Sequence, residues 1–532
     1  MQNIVLDQVG FLPGMQKSVI FRGECRDDEF EVVNALDDMA VFTGKIGEAK
    51  FDPYSGENVR CGDFSAVTKA GCYYIRTLSC GRSYSFTIAQ DVYNDLVSDM
   101  VRMMYLQRCG TALDDKHAGI YAHIPCHTEK AYLYGTDVGK DVSGGWHDAG
   151  DYGRYTVAAA LTAAEMMLAY EAFPKLFSDD THIPESGNGI PDILDEVRYG
   201  LDWLFKMQDI SGGVYHKVTC AGFPGFVMPE EERDRLILCP LSKTATGSFA
   251  AVMAMASDCF KGIDGEYAQR CLSAAEKAWD FLMSGSGELI THNPEGIFTG
   301  AYENSSCINE TYWAAAQLYK ATGTPQYREV FDSIAAEKVL TGFGWENVGD
   351  LGNIAYLSLD DNLTDPAIYA KIRSEIIGGA EWRISVADSG GYSVATDNYC
   401  WGSNSQIAGS GMRLMLAYSL THDRKYYNYA SEQLAYILGK NPLDICFVTG
   451  YGTNSPCRPH HRPSIAKGAA VKGMLVGGAN RNMQDELISR KFQNSPPSLC
   501  YTDHHESYST NENDTYWNTL VVLLIAELLK NG

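Results

Sequence analysis

The sequence predicts a mainly α protein, an (α/α)6 barrel preceded by a small all-β sandwich of the immunoglobulin type. Three observations carry this. Over residues 1–90 short apolar runs alternate with turn residues in the manner of strands. From Val92 onward the hydrophobic period lengthens from two to 3.6. The chain, at 532 residues, is also too long for one ordinary compact domain.

The runs IVLDQVGF, KSVIF, FEVVNA, AVFTGKI, DFSAV, CYYIRTL and YSFTIA supply about seven strands, the count of an immunoglobulin-like sandwich. Cys61, Cys72 and Cys80 lack the Cys…Trp…Cys spacing of antibody domains, so the architecture alone is implied. Twelve helices follow, near 93–108, 154–172, 190–208, 245–261, 265–283, 309–322, 325–342, 349–359, 365–378, 404–420, 424–438 and 514–530. The segment TVAAALTAAEMMLAYEAF (156–173) is small or apolar on most faces, as a helix buried on more than one side must be. Twelve successive helices make six hairpins that can close into a barrel. An α-solenoid has the same periodicity, and the lack of a repeated motif at fixed spacing argues against it. The expected division is 1–90 for the sandwich and 91–532 for the helical catalytic domain. Long loops rich in Gly, Pro, Asn and aromatics at 109–153, 209–244, 284–308, 380–403 and 440–513 are where function is expected on such a scaffold.

A net charge of −24 argues against nucleic acid and anionic membrane as partners, since both require basic patches. No apolar run is long enough to span a bilayer, and no protein partner is evident. The N-terminus, MQNIVLDQVGFLPG, lacks the basic and then apolar run of a secretory signal. Fifteen cysteines, an odd number scattered along the chain, read as reduced thiols. The expected location is cytoplasmic; a secreted chain relieved of its signal reads the same.

The densest chemistry lies in SGGWHDAGDYGRY (143–155). Asp148 and Asp151 stand three residues apart in a turn with Gly144, Gly145, Gly150 and Gly153, among Trp146, Tyr152 and Tyr155. Glycines admit close backbone approach, aromatics stack on sugar rings, and paired carboxylates can hold and deprotonate a water. Alone, such a pair is usually a helix cap or a solvated turn.

This stretch resembles the family 9 glycoside hydrolases, the inverting cellulases and their relatives. VTGYGTNSPCRPHHRP (448–463) follows that family's His signature ending in P-H-x-R, and YTDHHESYSTNENDTYWNT (501–519) follows its terminal signature. PESGNGIPDILDE (184–196), TYWAAAQLY (311–319), WGSNS (401–405) and LGKNPL (438–443) are similar as well, and the N-terminal sandwich looks like the module that precedes the barrel in one subgroup. One departure is Asp514, where the family usually has a small residue two places after the acid; a carboxylate facing Glu512 raises its pKa.

The resemblance implies inverting hydrolysis of β-1,4-glucosidic bonds in cello-oligosaccharides or soluble β-glucans. Glu512 is the implied general acid, and Asp151, with Asp148 sharing the water, the general base. Such carboxyl groups stand about 6.5–9.5 Å apart to admit that water. His460 and Arg462 are expected to contact the sugar, with Asp503 and Tyr508 nearby and Tyr302 and Trp401 as stacking aromatics. Trp313 and Trp517 can stack too, although a core position suits Trp517 better. In the plainer reading Glu512 caps the last helix and His460 is an ordinary loop imidazole.

Cys109, Cys126, His127 and His147 form a Cys₂His₂ set suited to structural, tetrahedral Zn²⁺. Its spacing matches no zinc finger and gains weight from the subgroup's zinc site; otherwise these are two buried thiols and two unrelated histidines. Relatives also bind Ca²⁺, and Glu185, Ser186, Asn188 and Asp192 offer hard oxygens that can equally cap the helix near 190–208. The alternatives are an exo-β-glucosaminidase using the same catalytic residues on chitosan oligosaccharides, a hydrolase whose zinc does the chemistry, and a non-catalytic sugar-binding protein.

Overall fold

The computed structural model describes residues 2–23 and 25–532. Backbone contacts group it into two compact units, Met1–Met103 with Ile376–Gly532, and Met104–Glu375. The switch of element type anticipated near residue 90 falls between a strand ending at Ile88 and a helix beginning at Asn94.

The first unit opens with ten strands: β1 (Ile4–Val5), β2 (Gly10–Phe11), β3 (Ser18–Arg22), β4 (Glu29–Asn34), β5 (Ala40–Lys45), β6 (Lys50–Asp52), β7 (Glu57–Asp63), β8 (Gly71–Thr77), β9 (Gly81–Arg82) and β10 (Phe86–Ile88). They form two sheets, β1-β3-β7-β6 and β2-β10-β8-β4-β5, with β9 on β8. Only β10 and β2 pair in parallel among these strands. Phe11 meets Phe64 and Phe86 edge-on between the sheets, and Phe21 packs on Phe30. One anticipated strand, DFSAV, is instead a turn. The Asp63 carboxylate captures the Ser65 amide, and the Val67 N–H bonds to the Phe64 carbonyl. The ladder partner of β3 is the preceding, more polar run, Glu57–Asp63.

All twelve expected helices form. The long ones are α1 (Asn94–Leu106), α3 (Thr156–Ala172), α4 (Asp192–Met207), α5 (Lys243–Phe260), α6 (Gly265–Met283), α7 (Ile308–Thr322), α8 (Pro325–Glu337), α9 (Gly349–Leu357), α10 (Pro366–Ser389), α11 (Ser403–Thr421), α12 (Arg424–Ile437) and α16 (Thr515–Asn531). Short α2 (Asp115–Ala118), α13 (Arg462–Lys467), α14 (Glu486–Lys491) and α15 (Tyr508–Asn511) interrupt the loops, as do strands β11 (Ala131–Leu133), β12 (Gly139–Lys140), β13 (Arg154–Tyr155), β14 (Val214–Tyr215), β15 (Lys217–Thr219), β16 (Ile237–Leu238) and β17 (Leu241–Ser242). In the second unit α3, α5, α7 and α9 pack in succession, with α4 against α3, α6 against α5 and α8 against α7. That alternation explains the buried, charge-poor α3 and the more amphipathic α4 and α6. In the first unit α11 and α12 pack on each other and on α16.

Helix α10 runs to Ser389, well past its expected end at 378. The Gly378-Gly379 pair does not break the helix; Gly379 serves packing, since a Cβ there would lie 2.8 Å from an Arg413 guanidinium nitrogen. The mainly α class with a β-sandwich in front holds. Among the described residues no helix is long and apolar enough to cross a membrane.

Candidate active site

The turn 147–153 enters α3 through β13, which pairs with β15. It is closed by the Asp148 N–H donating to the Gly153 carbonyl at 3.0 Å. Gly153 in turn donates its N–H to Asp151 Oδ2 at 2.9 Å, and the Tyr155 hydroxyl donates to the same oxygen at 3.3 Å. Gly153 cannot carry a side chain, since a Cβ would sit 2.7 Å from that oxygen. At Gly145 φ is +77° and a Cβ would lie 2.7 Å from the Trp203 indole, so the backbone twists left-handed against a buried ring.

Asp148 and Asp151 are both buried. Burial first, and then the charge of Asp151, push the Asp148 carboxyl well above the usual carboxylate range, while a hydrogen bond from Tyr302 pulls it down. The dyad therefore resists double ionisation. The Tyr302 hydroxyl donates to Asp148 Oδ2 at 2.5 Å. Its ring packs on Tyr155 at 4.7 Å and meets Trp345 edge-on at 5.2 Å. Tyr302 adopts φ +48°, a left-handed conformation uncommon for a bulky residue and held here by the packing around it. Sequence reasoning gave Tyr302 only a stacking role and missed Trp345 altogether.

Cys109, Cys126, His127 and His147 converge beside this turn. One ligand atom from each lies within 4.8 Å of the others, and all four residues are buried. Cys109 Sγ stands 3.6 Å from His127 Nδ1, Cys126 Sγ 3.9 Å from His147 Nε2, and the two ring nitrogens 3.4 Å apart. Zinc bonds of about 2.3 Å to sulfur and 2.05 Å to nitrogen give tetrahedral S···N and N···N edges of about 3.6 and 3.3 Å. The donor set fits. Glu232 Oε2 lies 2.9 Å from His127 Nε2 and fixes the tautomer that turns Nδ1 toward the cluster. Glu232 was not anticipated; it sits in an acidic loop with no local signature. Hydrogen bonds through Gln107 tie the cluster to the aspartates: His147 N–H donates to the Gln107 carbonyl at 2.7 Å, and Gln107 Nε2 donates to the Ala149 carbonyl at 2.9 Å.

Most oxygens considered for calcium have protein partners, but among the described residues Asp192 Oδ1 is buried with no hydrogen-bond partner. Glu185 binds Arg108 through both oxygens, at 2.9 and 3.0 Å. Asp192 Oδ2 accepts from the Thr181 N–H, the Thr181 hydroxyl and the Ser186 hydroxyl, and Asn188 Oδ1 accepts from the Ile190 N–H.

The other expected residues assemble in the first unit. Glu512 follows α15, and its backbone bridges to His460. The His460 N–H donates to the Asn511 carbonyl at 2.8 Å, and the Gly477 N–H donates to the Glu512 carbonyl at 2.8 Å. Asp514, not Glu512, caps α16, accepting from the Tyr516 N–H at 3.2 Å. Asp514 therefore has a structural duty, and Glu512 does not end the helix. Burial lowers the His460 pKa to about 4, so the imidazole is neutral near pH 7. Its Nδ1–H donates to the His505 carbonyl at 2.5 Å, which leaves Nε2 as an acceptor. Arg462 opens α13 and is buried. Asp503 accepts from the Cys457 and Arg458 N–H groups, both at 2.8 Å, and from Asn511 Nδ2, so it clamps the His460 loop to the Glu512 segment. Half-exposed Trp401 and Tyr508 pack at 5.4 Å, with His460 against Tyr508 at 5.9 Å. Trp313 and Trp517 are core residues.

A helical scaffold behind a β-sandwich, with buried paired aspartates in the turn before an inner helix, is the build of a glycoside hydrolase. The model of glycosyl hydrolase family 9 matches residues 93–525, and that of the cellulase N-terminal ig-like domain matches residues 1–82. The chain belongs to glycosyl hydrolase family 9. It is 35% identical over 555 residues to a cellodextrinase of Butyrivibrio fibrisolvens, covering 100% of both chains. It is also 35% identical to Endoglucanase D of Acetivibrio thermocellus, covering 98% of this chain and 83% of that one. The structure of a single-mutant thermostable endoglucanase from Alicyclobacillus acidocaldarius matches with a TM-score of 0.92 at 33% identity, over 99% of this chain and 100% of that one.

Proposed function

We propose that this hydrolase cleaves β-1,4-glucosidic bonds in cello-oligosaccharides or soluble β-glucans with inversion of the anomeric centre. The buried Asp148–Asp151 dyad, braced by Tyr302 and Tyr155, carries the reading, because a water held between such carboxylates loses a proton readily. Asp151 takes that proton and Asp148 orients the water. Glu512 protonates the departing glycosidic oxygen. Neutral His460 accepts a sugar hydroxyl at Nε2 with Arg462 beside it in sequence, while Trp401 and Tyr508 offer apolar faces to pyranose rings. A cellodextrinase matched along its whole length supports short soluble chains as substrate.

Cys109, Cys126, His127 and His147 would hold a zinc ion that supplies rigidity, since four protein ligands would leave no position open for substrate. Its place next to Asp148 in sequence makes it an anchor for the base-carrying turn.

NMR of cello-oligosaccharide hydrolysis tests the reading. An α-anomer as first product is expected. A β-anomer as first product rules out inversion, and faster turnover of chitosan oligomers moves the substrate to glucosamine.

A further inference from the structure

We propose that Cys25, Asp27 and Cys80 form a further metal site, in the β-sandwich, for a thiophilic divalent cation such as zinc. The three side chains come from two separate stretches, the loop leaving β3 and the turn joining β8 to β9. Even so, a ligand atom from each lies within 4.8 Å of the others.

Both stretches are shaped before any ion arrives. The Arg60 guanidinium donates to the carbonyls of Asp27 at 2.7 Å, Cys25 at 3.3 Å, Gly47 at 2.7 Å and Ile46 at 3.2 Å, which fixes the course of the first loop. The Ser79 N–H donates to Asp27 Oδ2 at 2.8 Å, with the Ser79 hydroxyl on the same oxygen. The Arg26 N–H returns a bond to the Ser79 hydroxyl at 3.2 Å, and the Cys80 N–H donates to Thr77 Oγ1 at 3.0 Å. Loop and turn are thus cross-linked around the ligand atoms, so little ordering remains to be done on binding.

The donor chemistry selects the ion. Two thiols favour zinc or cadmium over calcium or magnesium, and the carboxylate completes a three-ligand face. A bound cation would displace the thiol protons of Cys25 and Cys80 and neutralise the Asp27 carboxylate. Cys80 and Asp27 are part-exposed, which gives an entry path, and three protein ligands leave one tetrahedral position for water.

The test uses the full chain, reduced, equilibrated with zinc and freed of loosely held ion. Metal content per chain is measured for the wild type and for Cys80→Ser and Asp27→Asn, with thermal melting to establish that each variant folds. The wild type is expected to carry one equivalent more than Cys80→Ser, and Asp27→Asn to lose the same equivalent more readily to a competing chelator. Cadmium titration should show thiolate charge-transfer absorption that Cys80→Ser diminishes, with hydrolysis unchanged in both variants. Equal metal content in wild type and Cys80→Ser overturns the proposal. So does a Cys25–Cys80 disulfide that survives in reducing buffer, since it consumes both thiols.

Discussion

The Tyr302 hydroxyl holds Asp148 through a 2.5 Å hydrogen bond across 154 residues of sequence. The bond lands on the carboxylate whose charge is least welcome, buried and beside Asp151. Donation to a carboxylate favours its ionised form, so the tyrosine opposes the rise that burial and Asp151 impose on Asp148.

Tyr302→Phe keeps the ring against Tyr155 and Trp345 and removes only this donor. The Asp148 carboxyl then rises further, and the acidic limb of the pH–rate profile moves to higher pH. A fall in kcat of about 10–100-fold with little change in KM is expected. A pH profile that does not move removes Tyr302 from the ionisation of the dyad.

On the proposed assignment Glu512→Gln and Asp151→Asn each remove one proton-transfer group and should lower kcat by at least about 10²–10⁴-fold. Asp514 caps α16, so Glu512→Gln leaves the helix start intact and Tm close to wild type. Asp514→Ala has the opposite profile: loss of an N-cap costs about 1 kcal/mol of stability, with hydrolysis largely retained. Matched melting and kinetic measurements on the three variants check the division of labour.

Much of this was legible because it is local. The shift from period two to 3.6 marks sandwich and helices, and the DAGD turn carries its glycines and carboxylates within thirteen residues. The misreadings have physical causes. DFSAV has strand composition, but Asp63 captures the Ser65 amide; α10 runs on past Gly379, which makes room for Arg413. Asp514 and Glu512 have the same capping chemistry, and only the register of α16 tells them apart. The contacts of Tyr302 with Asp148 and of Glu232 with His127 join segments 154 and 105 residues apart and leave no local trace.

Glu232 offers a cleaner probe of the metal cluster than any of its four ligands. Glu232→Gln leaves Cys109, Cys126, His127 and His147 in place but loosens the orientation of His127. Zinc affinity should fall about 10–100-fold, read by competition with a chelator, with hydrolysis retained at saturating zinc. His147→Ala removes a ligand next to Asp148 and should lower both zinc content and Tm. Activity of Glu232→Gln that stays low when zinc is saturating would give this carboxylate a role beyond the metal.

The dyad is not alone in burying an acid, for Glu310 is buried too. It lies in the first turn of α7, packed so closely on α5 that a Cβ at Gly247 would come within 2.6 Å of its own. Among the described residues neither carboxyl oxygen has a hydrogen-bond partner in another residue, and burial raises the pKa to about 8. In the unfolded chain the group titrates near its ordinary 4.5. Between those values the folded protein keeps a proton that the unfolded chain has released, so stability falls as pH rises. The stabilising contribution is complete below pH 4.5 and lost once pH has passed about 8. The loss is on the order of 5 kcal/mol, from 1.36 kcal/mol per pH unit. Glu310→Gln cannot ionise, so its unfolding free energy should lack this decline and overtake the wild type on the alkaline side. Urea unfolding of both proteins at several pH values isolates the effect, because every other titrating group is common to the two. Curves that run parallel from pH 4.5 to 8 would show that Glu310 finds its charge accommodated in the folded state.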